Sequence, residues 1–292
     1  SGIPFNGRID EVAIYRKALS AERIAGRFKS ARREFALDAN ALPAGKVRAT
    51  LHEGIGDNWN YVATDAAAQF DADVFGFPFL PKKYNAKGLI VDRSSSFLLR
   101  AAAAVKLPKG EHRIMLRART LSRLWVDGKI IASTKNASRN GGGHEAVPVL
   151  PKTLGGTTRM LRPGMQEQLV EFTSNGGEHL VLLEAFIGGK GLRPETGELS
   201  VAVSSDGKSF ELLSPKTKVA LTDAGWETFS RKERLRVLAI NREIRAKIGK
   251  AETENWQQRH VVARKIVEEQ PRVVAPKITN MPSQNAIDDF IN

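Results

Sequence analysis

The stretch Leu107–Ile131, LPKGEHRIMLRARTLSRLWVDGKII, decides the fold class. It reads as strand, turn, strand, turn, strand. The turns are Pro108-Lys109-Gly110 and Asp127-Gly128, and Asp-Gly between alternating runs favours a tight primed hairpin. Between them, HRIMLRAR alternates apolar and polar residues, the period of a half-buried strand. Similar runs surround this stretch: Gly45–His52, Gly88–Asp92, Phe97–Leu107, Glu111–Ala118, Leu124–Ala132, Gln166–Thr173, Glu178–Ile187 and Glu198–Ser204. Gly, Pro, Asn and Ser clusters separate them. Short strands at this spacing, almost without helical periodicity, predict a sandwich or barrel. Two long interruptions, Asp65–Lys87 and Lys135–Arg162, are expected to be surface loops or inserts.

The segment SRLWVDGKII, Ser122–Ile131, also resembles the signature hairpin of the anthrax protective-antigen-type β-sandwich. That resemblance implies a module used to bind sugars or to pack beside enzymes. Members that bind sugar through calcium carry an Asp-Asp pair just before the hairpin. Here Arg119 and Thr120 stand at those positions, with Leu121 where a Gly is usual. The resemblance therefore implies the fold without the calcium chemistry, and no metal or other cofactor is expected.

Composition sets the outer limits. A chain of 292 residues with 41% hydrophobic and 26% charged residues holds one large or two modest globular domains. Cysteine is absent, which excludes disulfides, thiolate metal sites and a cysteine nucleophile. No run reaches the roughly 18 consecutive apolar residues of a membrane span.

Two further resemblances organise the ends. GRIDEVAIYRKALSAERIAGRF, Gly7–Phe28, resembles the last strand and trailing helix of laminin-G/concanavalin-like jelly rolls. Asp10–Tyr15 alternates as a strand, and Ser20 is an N-cap for a helix expected over Ala21–Phe35. A lone closing strand has no face to pack on, so the chain is expected to be a piece of a longer polypeptide. At the other end, NAIDDFIN, Asn285–Asn292, resembles the opening of a helical domain of unknown function. That domain recurs in large planctomycete-type proteins, often beside a c-type cytochrome domain. The resemblance implies an extracytoplasmic location, periplasmic or at the cell surface, and neighbouring domains of the same polypeptide as partners. Between the β-rich body and this end, Trp226, Phe229, Leu235, Leu238, Ile240, Ile244 and Ile248 form a 3.6-residue stripe among Arg, Lys and Glu. Gly249 breaks or bends it, giving one interrupted helix or a helical hairpin.

The expected organisation is thus a laminin-G-like remnant over 1–40, a protective-antigen-like sandwich over 41–220, a helical extension over 221–270 and a Pro-containing linker over 271–292. The fold class is mainly β, an antiparallel β-sandwich with an N-terminal strand-helix segment and a C-terminal α-helical extension.

The net charge of +13 invites a nucleic-acid reading. Its distribution argues against one: residues 1–40 carry about +3, 41–220 about +7 and 221–270 about +3, a spread without a stripe. No zinc finger, helix-turn-helix or RNA-binding motif accompanies it. A surface this basic does attract polyanions, so acidic or sulfated glycans and anionic envelope polymers are the expected partners.

Catalytic constellations are scarce. The five His (52, 112, 144, 179 and 260) form no spaced metal motif. His112 and His179 each follow a Gly-Glu pair, in GEHRIML and GEHLVLL, and read as structural residues at two equivalent strand starts. No nucleophile elbow or phosphate-binding loop occurs in its required setting. His144 and Glu145, in a Gly-rich loop, are candidate ligand-binding residues. Trp59 and Tyr61, in GDNWNY, are the candidates for an exposed platform on which pyranose CH groups stack. Trp125 reads as a core or sheet-packing ring, and Trp226 and Trp256 as core or interdomain anchors. The expected function is a non-catalytic binding module of a larger protein, for carbohydrate or anionic envelope polymer without calcium. The alternatives are a structural spacer that positions neighbouring cytochrome-type and helical domains, or a fragment of an enzyme whose active site lies outside this chain.

Overall fold

Two glycine-led strand starts, Gly110 and Gly177, open a nine-residue strand of one main sheet and a twelve-residue strand of the other, as the repeated Gly-Glu-His predicts. The computed structural model describes residues 18–21, 41–55, 66–93, 96–136, 158–189 and 192–271. The laminin-G-like stretch, apart from four residues, and the NAIDDFIN ending lie outside these described residues. They divide into two units, one of residues up to 78 together with 94–230, the other of 79–93 together with 231 onward.

The first unit is built on two antiparallel sheets. The six-stranded sheet has the order β2 (Ala68–Ala72), β1 (Val47–His52), β5 (Ser96–Leu107), β10 (Gly177–Gly188), β7 (Ser122–Val126), β8 (Lys129–Ser133). The four-stranded sheet has the order β12 (Glu211–Leu212), β11 (Ser200–Ser204), β6 (Gly110–Ala118), β9 (Gln166–Ser174). Alternation sends Leu99, Ala101, Leu183 and Leu124 to one face, each fully buried. Across from them Ile114, Leu116 and Val201 are equally buried. The chain is mainly β, with helices after the strands. The Asp127-Gly128 hairpin joins β7 to β8 with φ of 49° and 76°, the left-handed pair that a primed turn requires.

One expected loop is partly core. Within Asp65–Lys87, β2 pairs with β1, and Val74, Phe75 and Phe77 have no exposure at all. Phe75 and Phe77 donate backbone hydrogen bonds to Leu213 and Leu199, so the segment runs alongside β11. Its phenylalanines, without clean alternation, mark a buried irregular edge.

The outward face of the four-stranded sheet is covered by a helix. Helix α1 (Asp223–Ile248) starts at Thr222, whose hydroxyl accepts the Gly225 amide at 3.0 Å. A Cβ on Gly225 would stand 2.2 Å from the Ala220 carbonyl oxygen, so only glycine lets the chain turn into the helix so tightly. The first turns then bury Trp226 and Phe229 against Met115, Ala202, Phe210 and Leu212. Trp226→Ala is expected to cost about 3–5 kcal/mol, the range for removing a buried aromatic ring. Trp256→Ala, at a ring 47% exposed, is expected to leave stability nearly unchanged. Urea unfolding of both variants checks the contrast.

The turn after β11 is set by Asp206. Its Oδ1 accepts the Ser209 amide, the Lys208 amide and the Ser204 hydroxyl, each at 2.8 Å. Those donors, the Ser209 amide foremost, hold the carboxyl well below the usual carboxylate range. Its folded value lies below its unfolded one. The stabilisation is therefore complete above about pH 3.9, the unfolded value, and is lost as pH falls through the folded value. Asp206→Asn should remove this acid-limb contribution. Carboxyl titration followed by NMR, with an Asp206 inflection in the ordinary range, would contradict it.

In the second unit, β3 (Lys83–Tyr84) and β4 (Ile90–Val91) form a short hairpin. The Lys82 amide donates to Oδ1 of the buried Asn241 at 2.7 Å, and Gly88 meets Gly249 backbone to backbone. Gly249 separates α1 from α2 (Lys250–Glu269), yet its amide bonds Arg245 and its carbonyl accepts from Thr253. The helix is one interrupted rod. Trp256, expected as an anchor, is exposed, because no residue of α2 is buried. No helix among the described residues is long and apolar enough to cross a membrane.

Candidate functional site

The outer face of the six-stranded sheet gathers polar and aromatic side chains that alternation pairs strand by strand. One row runs Thr50, Arg100, Glu184, Arg123 across β1, β5, β10 and β7. The next runs Asp71, Arg48, Ala102, Leu182, Trp125, Ile130 from edge to edge. In β7 the aliphatic Leu124 and Val126 turn inward, which sends Arg123 and Trp125 outward together. Of the two places expected for Trp125, core or sheet packing, it takes the second. It lies half-buried on the outer face, beside Ile130 at 49% exposure.

Charges on this face are held in place. Glu184 is 2% exposed and accepts Nε of Arg100 at 3.3 Å. Arg48 pairs with Asp71 at 2.5 Å. The Arg123 guanidinium carbon stands 5.7 Å from the Phe186 ring centroid. Phe186 in turn packs with Leu98 and Ile55 in a small cluster on the same face. The Trp125 indole nitrogen is buried, so the ring offers only its partly exposed apolar surface for stacking, while the guanidinium groups beside it are the donors to hydroxyl or carboxylate oxygens. Arg100, Glu184 and Arg123 were not foreseen. The signal was present in the shared parity of Arg123 and Trp125. Of the expected ligand-binding residues, Trp59, Tyr61, His144 and Glu145 all lie outside the described residues.

The segment before the β7–β8 hairpin carries donors where a calcium site needs oxygen ligands. Arg119 donates to Glu195 at 3.1 Å. The Gln166 side-chain amide donates to the carbonyls of Lys135, at 2.8 Å, and Arg119, at 3.3 Å. Thr134 donates to the Thr120 carbonyl at 2.6 Å. The backbone oxygens are thus taken by neutral donors, and the one carboxylate faces a guanidinium. This donor set does not fit calcium, a hard cation that takes six to eight oxygens. Among the described residues no cluster of three His, Asp or Glu is arranged to hold a metal. Calorimetric titration with calcium should show no stoichiometric site that disappears when Arg119, Thr120 or Gln166 is replaced.

A serine–histidine–aspartate chain also occurs. Ser174 Oγ lies 2.8 Å from His179 Nε2, and His179 Nδ1 lies 2.7 Å from Asp127 Oδ2. The spacing is that of a nucleophile and its base. Its setting is different: Ser174 is 1% exposed and accepts the Gly176 amide, while Asp127 also accepts the Leu180 amide. A substrate carbonyl has no approach to that hydroxyl. The three residues brace β9, the start of β10 and the β7–β8 turn. His112 is structural too, bonded through Nε2 to the Pro108 carbonyl at 2.9 Å.

On the other sheet, Arg117 and Glu167 form a buried cross-strand pair at 2.8 Å. Arg159 bonds Glu198 at 2.7 Å and also pairs with Asp223. Burial opposes the Arg159 charge, but hydrogen bonding and attraction from Glu198, aided by Asp223, outweigh it and raise the guanidinium above its usual value. This network ties the chain after the 137–157 stretch to β11 and to the start of α1.

No protein-family model matches the chain, and no curated protein matches it. Solved structures with a similar fold include the PA14 sugar-binding domain from an RTX adhesin, at 13% identity and a TM-score of 0.38, with 59% of this chain and 97% of that one covered. The PA14 domain of the MpAFP antifreeze protein aligns at 11% identity and a TM-score of 0.36, covering 64% and 94%. A subtype-switched epithelial adhesin 9 A domain from Candida glabrata, in complex with β-lactose, aligns at 10% and 0.34, covering 65% and 93%.

Proposed function

We propose that the first unit is a non-catalytic carbohydrate-binding module of a larger extracytoplasmic protein, acting through the outer face of its six-stranded sheet. The observation that carries this reading is Trp125, which alternation places outside the core with Arg123, one row from Arg100 and Glu184. The partly exposed ring suits stacking on the apolar face of a saccharide ring, while guanidinium groups take its oxygens. The arginines favour acidic or sulfated saccharides over neutral ones. Calcium has no part in this binding, since the hairpin supplies donors where a cation needs acceptors. Trp59 and Tyr61 remain candidate stacking rings for the same ligand.

Glycan-array screening of the full chain, followed by titration, tests the reading. Uronic or sulfated saccharides should bind, and binding should fade as the Debye length falls from about 10 Å at 0.1 M salt to about 3 Å at 1 M. Trp125→Ala should weaken it by about tenfold or more, or roughly 1.4 kcal/mol, with the melting temperature of the sandwich kept. Trp59→Ala and Tyr61→Ala report whether those rings share the site. Binding confined to neutral sugars would reject the role of the arginines, and no binding by a folded chain would reject the module.

A further inference from the structure

Exposed hydrophobic side chains that gather in one part of a molecule mark an interaction surface. Among the described residues thirteen large hydrophobic side chains are exposed, and eleven of them belong to the second unit. The same unit gathers charge. Residues 79–93 and 231–271 carry fifteen Lys and Arg against seven Asp and Glu, an excess of +8 in a chain of net charge +13.

Two faces concentrate these features. On α1, Leu235 and Leu238 are 65% and 44% exposed. They lie at helical spacing from Arg234, Arg242 and Arg245, which are exposed and make no ion pair among the described residues. On α2, Trp256, Val262, Ile266 and Val267 are all about half exposed or more. Arg259 stacks 4.8 Å from the Trp256 ring centroid, and the indole nitrogen donates to Glu252 at 2.9 Å.

We propose that the second unit docks an acidic amphipathic helix of a partner protein. Its apolar seam would cover Leu235 with Leu238, or the Trp256–Val267 face, and its carboxylates would meet Arg234, Arg242 and Arg245. Three observations favour this occupant. A second copy would set a +8 unit against another, and like charge opposes that pairing. A nucleic acid would engage the arginines but leave Leu, Trp, Ile and Val in water. A helix lying in a bilayer surface keeps its apolar face free of charge, whereas Arg259 and Glu252 both contact Trp256. Apolar side chains three, four and seven residues apart are the pattern by which one helix reads another. This inference is independent of the saccharide face, which belongs to the first unit.

The test uses the full chain and two synthetic peptides of about four heptads, with Leu at the seam positions and either Glu or Lys flanking them. Fluorescence anisotropy should show the Glu peptide bound and the Lys peptide at least about tenfold weaker. Leu235→Glu with Leu238→Glu, or Trp256→Glu alone, should weaken the Glu peptide by about the same factor. Arg234→Glu with Arg242→Glu should turn the preference towards the Lys peptide. All these positions are exposed, and the sandwich melting transition serves as the control for folding. Equal binding of both peptides would overturn the proposal, as would no binding of either. So would stronger binding to phosphatidylserine vesicles or to a short DNA duplex. Self-association of the free chain that Trp256→Glu abolishes would assign the surface to a second copy.

Discussion

Twelve consecutive cross-strand pairs between β5 and β10, from Gly177 opposite Leu107 to Gly188 opposite Ser96, fix everything else in the sandwich. In a β-ladder a slip of one residue exchanges the two faces. Here that exchange would replace Leu99, Ala101 and Leu183 in the core by Arg100, Glu184 and Lys106. The register is therefore held by the core, and the outer face inherits its order. Glu184 meets Arg100 because Leu183 meets Ala101. The neighbouring β7 takes its parity from the same ladder, so Trp125 and Arg123 fall on the face that already carries the Arg100–Glu184 pair. Among the described residues the candidate site is the reverse side of the core.

Much of this was legible in the sequence because strands write their faces with a period of two. Seven of the eight alternating runs correspond to single strands within a few residues at their ends, and Leu124–Ala132 divides into β7 and β8 at the Asp-Gly turn, which has the backbone its dipeptide demands. The repeated Gly-Glu-His also maps onto equivalent positions, with both histidines buried at the third residue of their strands. Where alternation fails, reading fails. Val74-Phe75-Gly76-Phe77 is buried by lying along β11, an arrangement set by residues more than a hundred positions away. Trp125 packs on the sheet outside the core, one of the two places its sequence allowed, and the polar Arg123 on its own side of the strand points outward with it.

Charge was the other place where sequence order misled. Tallied along the chain, the excess is spread. Grouped by compact unit, the basic hairpin at 79–93 joins the arginine-rich helices, and a base-rich, apolar-studded unit emerges. Helical periodicity alone also overstated burial beyond Gly249. Trp256 and the valines after it have the spacing of a packed stripe, but nothing among the described residues covers them. Periodicity announces that a face is meant to be covered. It does not say by what.

Helix α1 is a single hydrogen-bonded rod that belongs to both compact units, the division falling between Ser230 and Arg231. Its first turns are sandwich core through Trp226 and Phe229. Those two rings make the start of the helix part of the sandwich's own cooperative core, so it opens when the sandwich opens and not as a frayed end.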